Sequence, residues 1–168
     1  MAMAATVYNY LRHEKINYDV VPHPLTESAA ESARASVVPM FDMTKAVMLR
    51  AGESRLMAVI PADKNLNLNR VNKMMSAHYH LDSERDIARL FDDCSKGAVP
   101  ALGQAYDIPV IWDDDLDKEE DIYLEAGDHR ELIHLSHNQF SQLMKNWPHG
   151  DIGRRMVAYP PTSSQVDF

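Results

Sequence analysis

Two apolar, partly β-branched runs, Thr44-Lys-Ala-Val-Met-Leu-Arg50 and Arg55-Leu-Met-Ala-Val-Ile60, are separated only by Ala-Gly-Glu-Ser. Val and Ile suit a pleated, buried surface, and a short glycine-bearing connection lets the chain fold back on itself. The spacing therefore predicts a β-hairpin of two central strands. Lys45 stands at the head of the first strand, just after Asp42-Met-Thr44. A cation there can reach a cleft mouth while its stem packs on apolar neighbours, although a strand-end lysine is also an ordinary surface charge.

Around this hairpin the periodicity alternates between helix and strand. Met3, Val7 and Leu11 recur at four-residue spacing and predict an amphipathic helix over 3–15. Ser28 followed by Glu31 is a capping-box pattern for a short helix over about 28–36, and Asn67 or Asn69 can cap one carrying Leu68, Val71, Met74 and Met75, with the methionines read as core. Ser83 opens a helix with Ile87, Leu90 and Phe91 inward, and Ser136 with Gln139 opens the last, with Phe140, Leu143, Met144 and Trp147 on one side. Further strands are expected at Tyr18–Val21, Ile108–Trp112, Ile122–Ala126 and Glu131–Leu135. The last two are joined by Gly127-Asp-His-Arg130, a hairpin turn with His129 at its tip.

A chain of 168 residues with 45% hydrophobic composition suits one domain, expected over 1–148, followed by a C-terminal tail over 149–168 that shows no periodicity and reads as coil, frayed or docked. No apolar run approaches the roughly 20 residues of a membrane helix, and the start lacks the basic flank and apolar block of a signal peptide. The expected location is cytoplasmic. A lone Cys94 excludes an internal disulfide and a multi-cysteine zinc site.

The net charge of −8 argues against a nonspecific grip on long nucleic acid, but the charge is unevenly placed. Residues 113–131 carry ten acids against Lys118 and Arg130, and the run 113–121 reads as a solvated loop. Residues 45–73 hold Lys45, Arg50, Arg55, Lys64, Arg70 and Lys73 against Glu53 and Asp63, a surplus that either steers a phosphate-bearing ligand or is a solvated face.

Chemistry concentrates in three places. Asp93-Cys-Ser-Lys-Gly-Ala-Val-Pro-Ala-Leu-Gly103 sets Gly97 and Gly103 around Pro100, a stiff extended arm between two permissive hinges that can present backbone N–H groups to an oxygen. The plainer reading is a connection from a helix to a strand. Pro22-His23-Pro24 places His23 on an extended loop, either facing a cleft or simply exposed. His78-x-His80, sharing a strand face, and His134-x-x-His137 lack a fixed carboxylate beside them, so no metal or other cofactor is expected. No P-loop, Gly-x-Ser-x-Gly elbow or internal repeat is present.

Together these motifs resemble the YbaK/EbsC family, free-standing relatives of the editing domain of bacterial prolyl-tRNA synthetases. The resemblance spans about residues 5–146 and rests on His23, Thr-Lys45-Ala-Val-Met-Leu, the Gly-Ala-Val-Pro-Ala-Leu-Gly loop, the aspartate-rich segment after Pro-Val-Ile-Trp, and Ala-Gly-Asp-His-Arg-Glu-Leu-Ile-His-Leu. It implies an α/β fold of α+β type, a mixed, partly closed β-sheet or barrel flanked by helices. It also implies hydrolysis of the ester linking a wrong amino acid to tRNA. Lys45 matches the family lysine that binds the terminal nucleotide, and Gly97 supplies the loop, so these two are the catalytic candidates. Substrate-binding candidates are His23, then Ala98, Val99, Pro100, Ala101 and Gly103 of the loop, and Gly127, Asp128 and His129 of the hairpin turn. One departure stands out: the family loop is usually Gly-x-x-x-Pro, whereas here Ala101 fills the usual proline slot and the proline comes one place earlier.

Ester hydrolysis needs a positioned water, a base and donors for the developing oxyanion, and backbone N–H groups of a glycine-hinged loop can be those donors. The leading expectation is a deacylase acting in trans on the acceptor end of mischarged tRNA, with an aminoacyl-tRNA synthetase as a possible partner and neither membrane nor DNA involved. Against it stands a catalytically silent module that binds a tRNA end, a nucleotide or a synthetase, and beyond that a small-ligand domain unrelated to tRNA.

Overall fold

The hairpin forms as the spacing predicts. In the computed structural model, which describes residues 3–156, β2 (Thr44–Ala51) pairs antiparallel with β3 (Ser54–Pro61), in register from Thr44 opposite Pro61 to Ala51 opposite Ser54. Gly52 turns the corner at φ +60°, the left-handed conformation that a two-residue hairpin loop demands.

The other elements are α1 (Ala5–His13), β1 (Asp19–Pro22), α2 (Ala29–Ala35), β4 (Lys64–Leu66), α3 (Leu68–Met75), β5 (His80–Leu81), α4 (Glu84–Leu90), β6 (Val110–Asp113), β7 (Asp121–Glu125), β8 (Glu131–Ser136), α5 (His137–Met144), β9 (His149–Gly150) and β10 (Gly153–Arg155). A five-stranded sheet runs in the order β5-β2-β3-β6-β9, with β3–β6 and β6–β9 parallel. A three-stranded antiparallel sheet runs β1-β8-β7, and β10 pairs with β4. The fold is thus a mixed α/β arrangement, and its strands do not close into a barrel among the described residues.

Alternation along β2 and β3 divides the core. Met48, Met57 and Val59 face a cluster with Val7 and Leu11 of α1, Phe140 and Met144 of α5, and Ile122, Leu124, Ile133 and Leu135 of the smaller sheet. Leu49, Leu56, Ala58 and Ile60 face the other way, onto Leu66, Val71 and Ile152. The capping box of Ser136 and Gln139 starts α5 as expected. The Trp112 ring meets Phe140 edge-on at 5.7 Å, and its Nε1 donates to the Met144 carbonyl at 3.1 Å, so α5 is anchored on β6.

The two larger sheets touch at one junction. Met43 forms an isolated parallel bridge with Tyr123, the Tyr123 N–H donates to the Asp42 carbonyl at 2.9 Å, and Thr44 Oγ1 donates to the Tyr123 carbonyl at 3.0 Å. Ser95 N–H donates to the Gly127 carbonyl at 2.8 Å, which joins the 95–102 loop to the β7–β8 turn.

Several expectations need correction. The run 113–121 is not a solvated loop: a 3-10 turn spans Asp114–Lys118, Leu116 is buried, and Asp113 is fully buried. Asp113 accepts from Lys64 Nζ and the Asp115 amide on one oxygen and from the Ile152 and Gly153 amides on the other, so the chain after 148 is tied into the sheets as β9 and β10 rather than left as coil. The rest of the expected tail, 157–168, lies outside the described residues. Met74 is 45% exposed rather than core, because α3 turns only Val71 fully inward. Of the two histidines expected to share a strand face, only His80 lies in a strand. No helix among the described residues is long and apolar enough to cross a membrane.

Candidate functional site

A cavity of about 280 Å³ opens at the junction of the two sheets. Met43, Thr44, Lys45, Ala46 and Met48 of β2 and its lead-in form one wall, Ile87 of α4 with Gly97 and Val99 a second, and Glu125 with His129 of the β7–β8 hairpin a third. A more open recess of about 390 Å³ adjoins it, sharing Glu84, Gly97 and His129 and reaching Leu25, Thr26 and Lys96.

Four sequence-selected residues, Lys45, Gly97, Val99 and His129, therefore meet at one cavity. Gly97 has φ +79°, as expected of a permissive hinge, and a Cβ there would sit 3.7 Å from the His129 ring, so its backbone conformation and not crowding calls for glycine. The Ala98 amide is spent on the Ser95 carbonyl at 2.9 Å, whereas the amides of Gly97 and Val99 have no partner among the described residues. His129 Nε2 lies 2.7 Å from the Lys96 carbonyl. A carbonyl can only accept, so Nε2 carries a proton and, in the neutral ring, Nδ1 is the acceptor.

Lys45 differs from its expected posture. Its side chain leaves β2 on the face opposite Ala46 and Met48, and Nζ donates to the Lys64 carbonyl at 2.6 Å. Burial lowers its pKa, an effect the nearby Asp63 charge opposes.

The remaining candidates fall outside the cavity lining. His23 is buried, its Nδ1 donating to the Pro24 carbonyl at 2.6 Å and its Nε2 without a partner. Gly103 is not a hinge: it opens a 3-10 turn, and a Cβ would come 3.0 Å from the Ile108 carbonyl oxygen and 3.1 Å from Met57 Cβ. Ala98, Pro100 and Ala101 are buried behind Val99 in the loop. Gly127, φ +118°, lets the turn approach Ala4, and Asp128 accepts the Arg130 and Glu131 amides through Oδ1, each at 2.9 Å. These are turn-building roles.

The basic surplus over 45–73 is largely neutralised. Arg50 pairs with Asp86 at 3.1 Å, Arg55 with Asp82 at 2.8 Å, Lys64 with Asp113 at 3.2 Å and Asp115 at 2.5 Å, and Arg70 with Asp151. The sequence places these acids 27 to 81 residues away, which is why the segment looked unpaired. His134 lies between Asp19 and Asp121, and His137 beside Asp117. Among the described residues no three His, Cys, Asp or Glu side chains are grouped to hold a metal.

Behind the loop, Tyr106 OH donates to Asp93 Oδ1 at 2.9 Å and lies 3.4 Å from Cys94 Sγ, while Asp93 Oδ2 accepts the Thr6 amide. Burial opposes ionisation of Asp93, but these donors outweigh it and its pKa is lowered. Burial pushes the Cys94 thiol up to about 12, which removes it as a nucleophile near neutrality.

Sequence reasoning missed Glu125. Its Oε1 accepts the amides of Gly127, Asp128 and His129 at 3.0, 3.3 and 3.0 Å. Its position two residues before a Gly-Asp turn was the available signal.

The fold and the cleft together define a mixed α/β domain with a small amide-lined pocket. The family model described as the aminoacyl-tRNA editing domain matches residues 23–143, and the chain belongs to this family. Among solved structures, a proposed trans-editing enzyme for prolyl-tRNA synthetase aligns with a TM-score of 0.78 at 18% identity, covering 90% of this chain and 96% of that one. A hypothetical protein aligns equally well, TM-score 0.78 at 18% identity over 89% and 99% of the two chains. A Marinobacter aquaeolei VT8 protein proposed to act in signal transduction gives 0.70 at 19% identity, with 88% of this chain covering 30% of that one. At such identities the likeness is one of fold. Comparison with curated proteins gives no significant match.

Proposed function

We propose that the protein is a trans-acting hydrolase that removes the amino acid from mischarged aminoacyl-tRNA. The observation that carries this reading is the pair of unpartnered amides, Gly97 and Val99, on the wall of the cavity. They are suited to receive the oxyanion that forms when water attacks an ester carbonyl. The cavity has room for an aminoacyl group, and the nucleotide that carries it would lie toward the adjoining recess.

In this reading His129 Nδ1 accepts from the attacking water, directly or through the substrate's ribose hydroxyl, while its Nε2–H keeps the ring latched to the loop. Lys45 engages the terminal nucleotide by releasing the Lys64 carbonyl. Ala46, Met48, Ile87 and Val99 would receive the amino acid side chain, and selection by size follows. With a net charge of −8 and four of the six cations of 45–73 paired internally, tRNA is held weakly, which favours delivery by a synthetase, and the work belongs in the cytoplasm.

The tether on Lys45 favours a second reading, a silent module that binds a tRNA end. A panel of mischarged tRNAs incubated with the protein decides: release of free amino acid supports the hydrolase, and binding without release supports the silent module.

A further inference from the structure

We infer that Glu125 recognises the α-ammonium group of the bound aminoacyl substrate, an inference that rests on the editing reading above. Glu125 ends β7 and lines the same cavity as Gly97 and Val99. Three amides of the following turn converge on its Oε1, so the side chain is held in one position before any ligand arrives. Its Oε2 has no partner among the described residues. A side chain already ordered gives up little freedom on binding, and a free carboxylate oxygen makes a short, strong contact with a cationic donor.

The charge balance points to the same occupant. The lysine of this cavity directs its ammonium to the Lys64 carbonyl, on the opposite face of β2, and Glu125 forms no ion pair among the described residues. The exposed Glu84 adds a second acid to the lining, and much of the remaining wall is apolar: Ala46, Met48, Ile87 and Val99. A carboxylate with donors on one oxygen but no cation beside it favours, against such a wall, a ligand that brings its own positive charge. An aminoacyl ester brings one such group, on the carbon next to the carbonyl that the Gly97 and Val99 amides would receive. The free amine also separates a single mischarged amino acid from an N-blocked or peptidyl end, so Glu125 restricts the site to the former.

The test compares two probes that cannot be hydrolysed, a 3′-aminoacylamino-3′-deoxyadenosine bearing a small aliphatic amino acid and its N-acetyl counterpart. The wild-type protein is expected to bind the free amine at least about tenfold more tightly. Glu125→Gln keeps an acceptor oxygen for the three turn amides and removes the charge, so the preference should vanish while the melting temperature holds. Equal affinity of the wild-type protein for both probes overturns the inference, whether or not the variant folds. An undiminished preference in folded Glu125→Gln overturns it too. Preference for the free amine without release of amino acid from mischarged tRNA would remove the hydrolase reading and leave the assignment of Glu125 standing.

Discussion

The His129 imidazole donates to the Lys96 carbonyl oxygen at 2.7 Å, so the tip of the β7–β8 hairpin is latched to the loop that carries Gly97. His129 itself holds φ +61°, a backbone conformation that costs a non-glycine residue energy. Replacing His129 by glycine relieves that cost while removing the latch, and the two effects of about 1 kcal/mol offset each other. His129→Gly should therefore melt near the wild-type temperature yet lose at least about tenfold in turnover on mischarged tRNA. A parallel fall of both would make the latch purely structural.

Lys45→Ala should reduce deacylation by at least about tenfold. The Lys64 carbonyl loses its donor, which costs about 1 kcal/mol in urea unfolding, too little to explain the loss of activity. Full turnover in this variant would exclude Lys45 from the reaction.

Lys96 is exposed at the rim of the outer recess and makes no ion pair among the described residues, whereas most of the cations of 45–73 are engaged. Its place at that rim suits it to a phosphate of the proposed tRNA substrate. Lys96→Ala should weaken tRNA binding and lower the slope of log affinity against log salt by about 1, read by filter binding across a salt series.

Asp42 lies at the sheet junction, where burial, then a hydrogen bond with Glu119 and the charges of Glu119 and Asp121, push its carboxyl up to about 7. Because the folded value exceeds the unfolded one, the stability this group contributes is fully present below the ordinary carboxylate range and is lost as pH rises through about 7. Asp42→Asn should raise the melting temperature near about pH 8 and leave it unchanged near about pH 3. The same gain at both values would show that titration is not its cause.

Val37 follows α2 with φ +56° and is 91% exposed, so a β-branched side chain bears a left-handed backbone without burying anything in return. Val37→Gly should stabilise by about 1 kcal/mol, a rise of about 2–4 °C in melting temperature by calorimetry.

The hairpin, the capping box at Ser136 and the amphipathic helices could be read from the chain because their causes lie within a few residues of one another. The positive φ of Gly97 was legible for the same reason. What escaped was long-range pairing. Asp113 looked like one acid among ten until Lys64, Ile152 and Gly153 were placed around it. Glu125 sat on a strand position that reads as solvent-facing, and only the folded turn aims three amides at it. Gly103 and Gly97 are alike in sequence, yet one makes room for Ile108, Val110 and Met57 while the other bends the chain.

The pairing of β1 with β8 sets Asp19 opposite His134, and β8 in turn aligns β7, whose last residue is Glu125. During synthesis the first strand thus waits for more than a hundred further residues before it meets its neighbour. Closing so long a span comes late and slowly compared with the β2–β3 hairpin, whose ends are adjacent in the chain. A nascent chain halted before residue 131 has the β2 wall but no β8 to hold the Glu125 and His129 wall in place. The cleft should accordingly mature only after β8 has been made, and chains cut short of it would offer no working site to pass on in truncated or split forms.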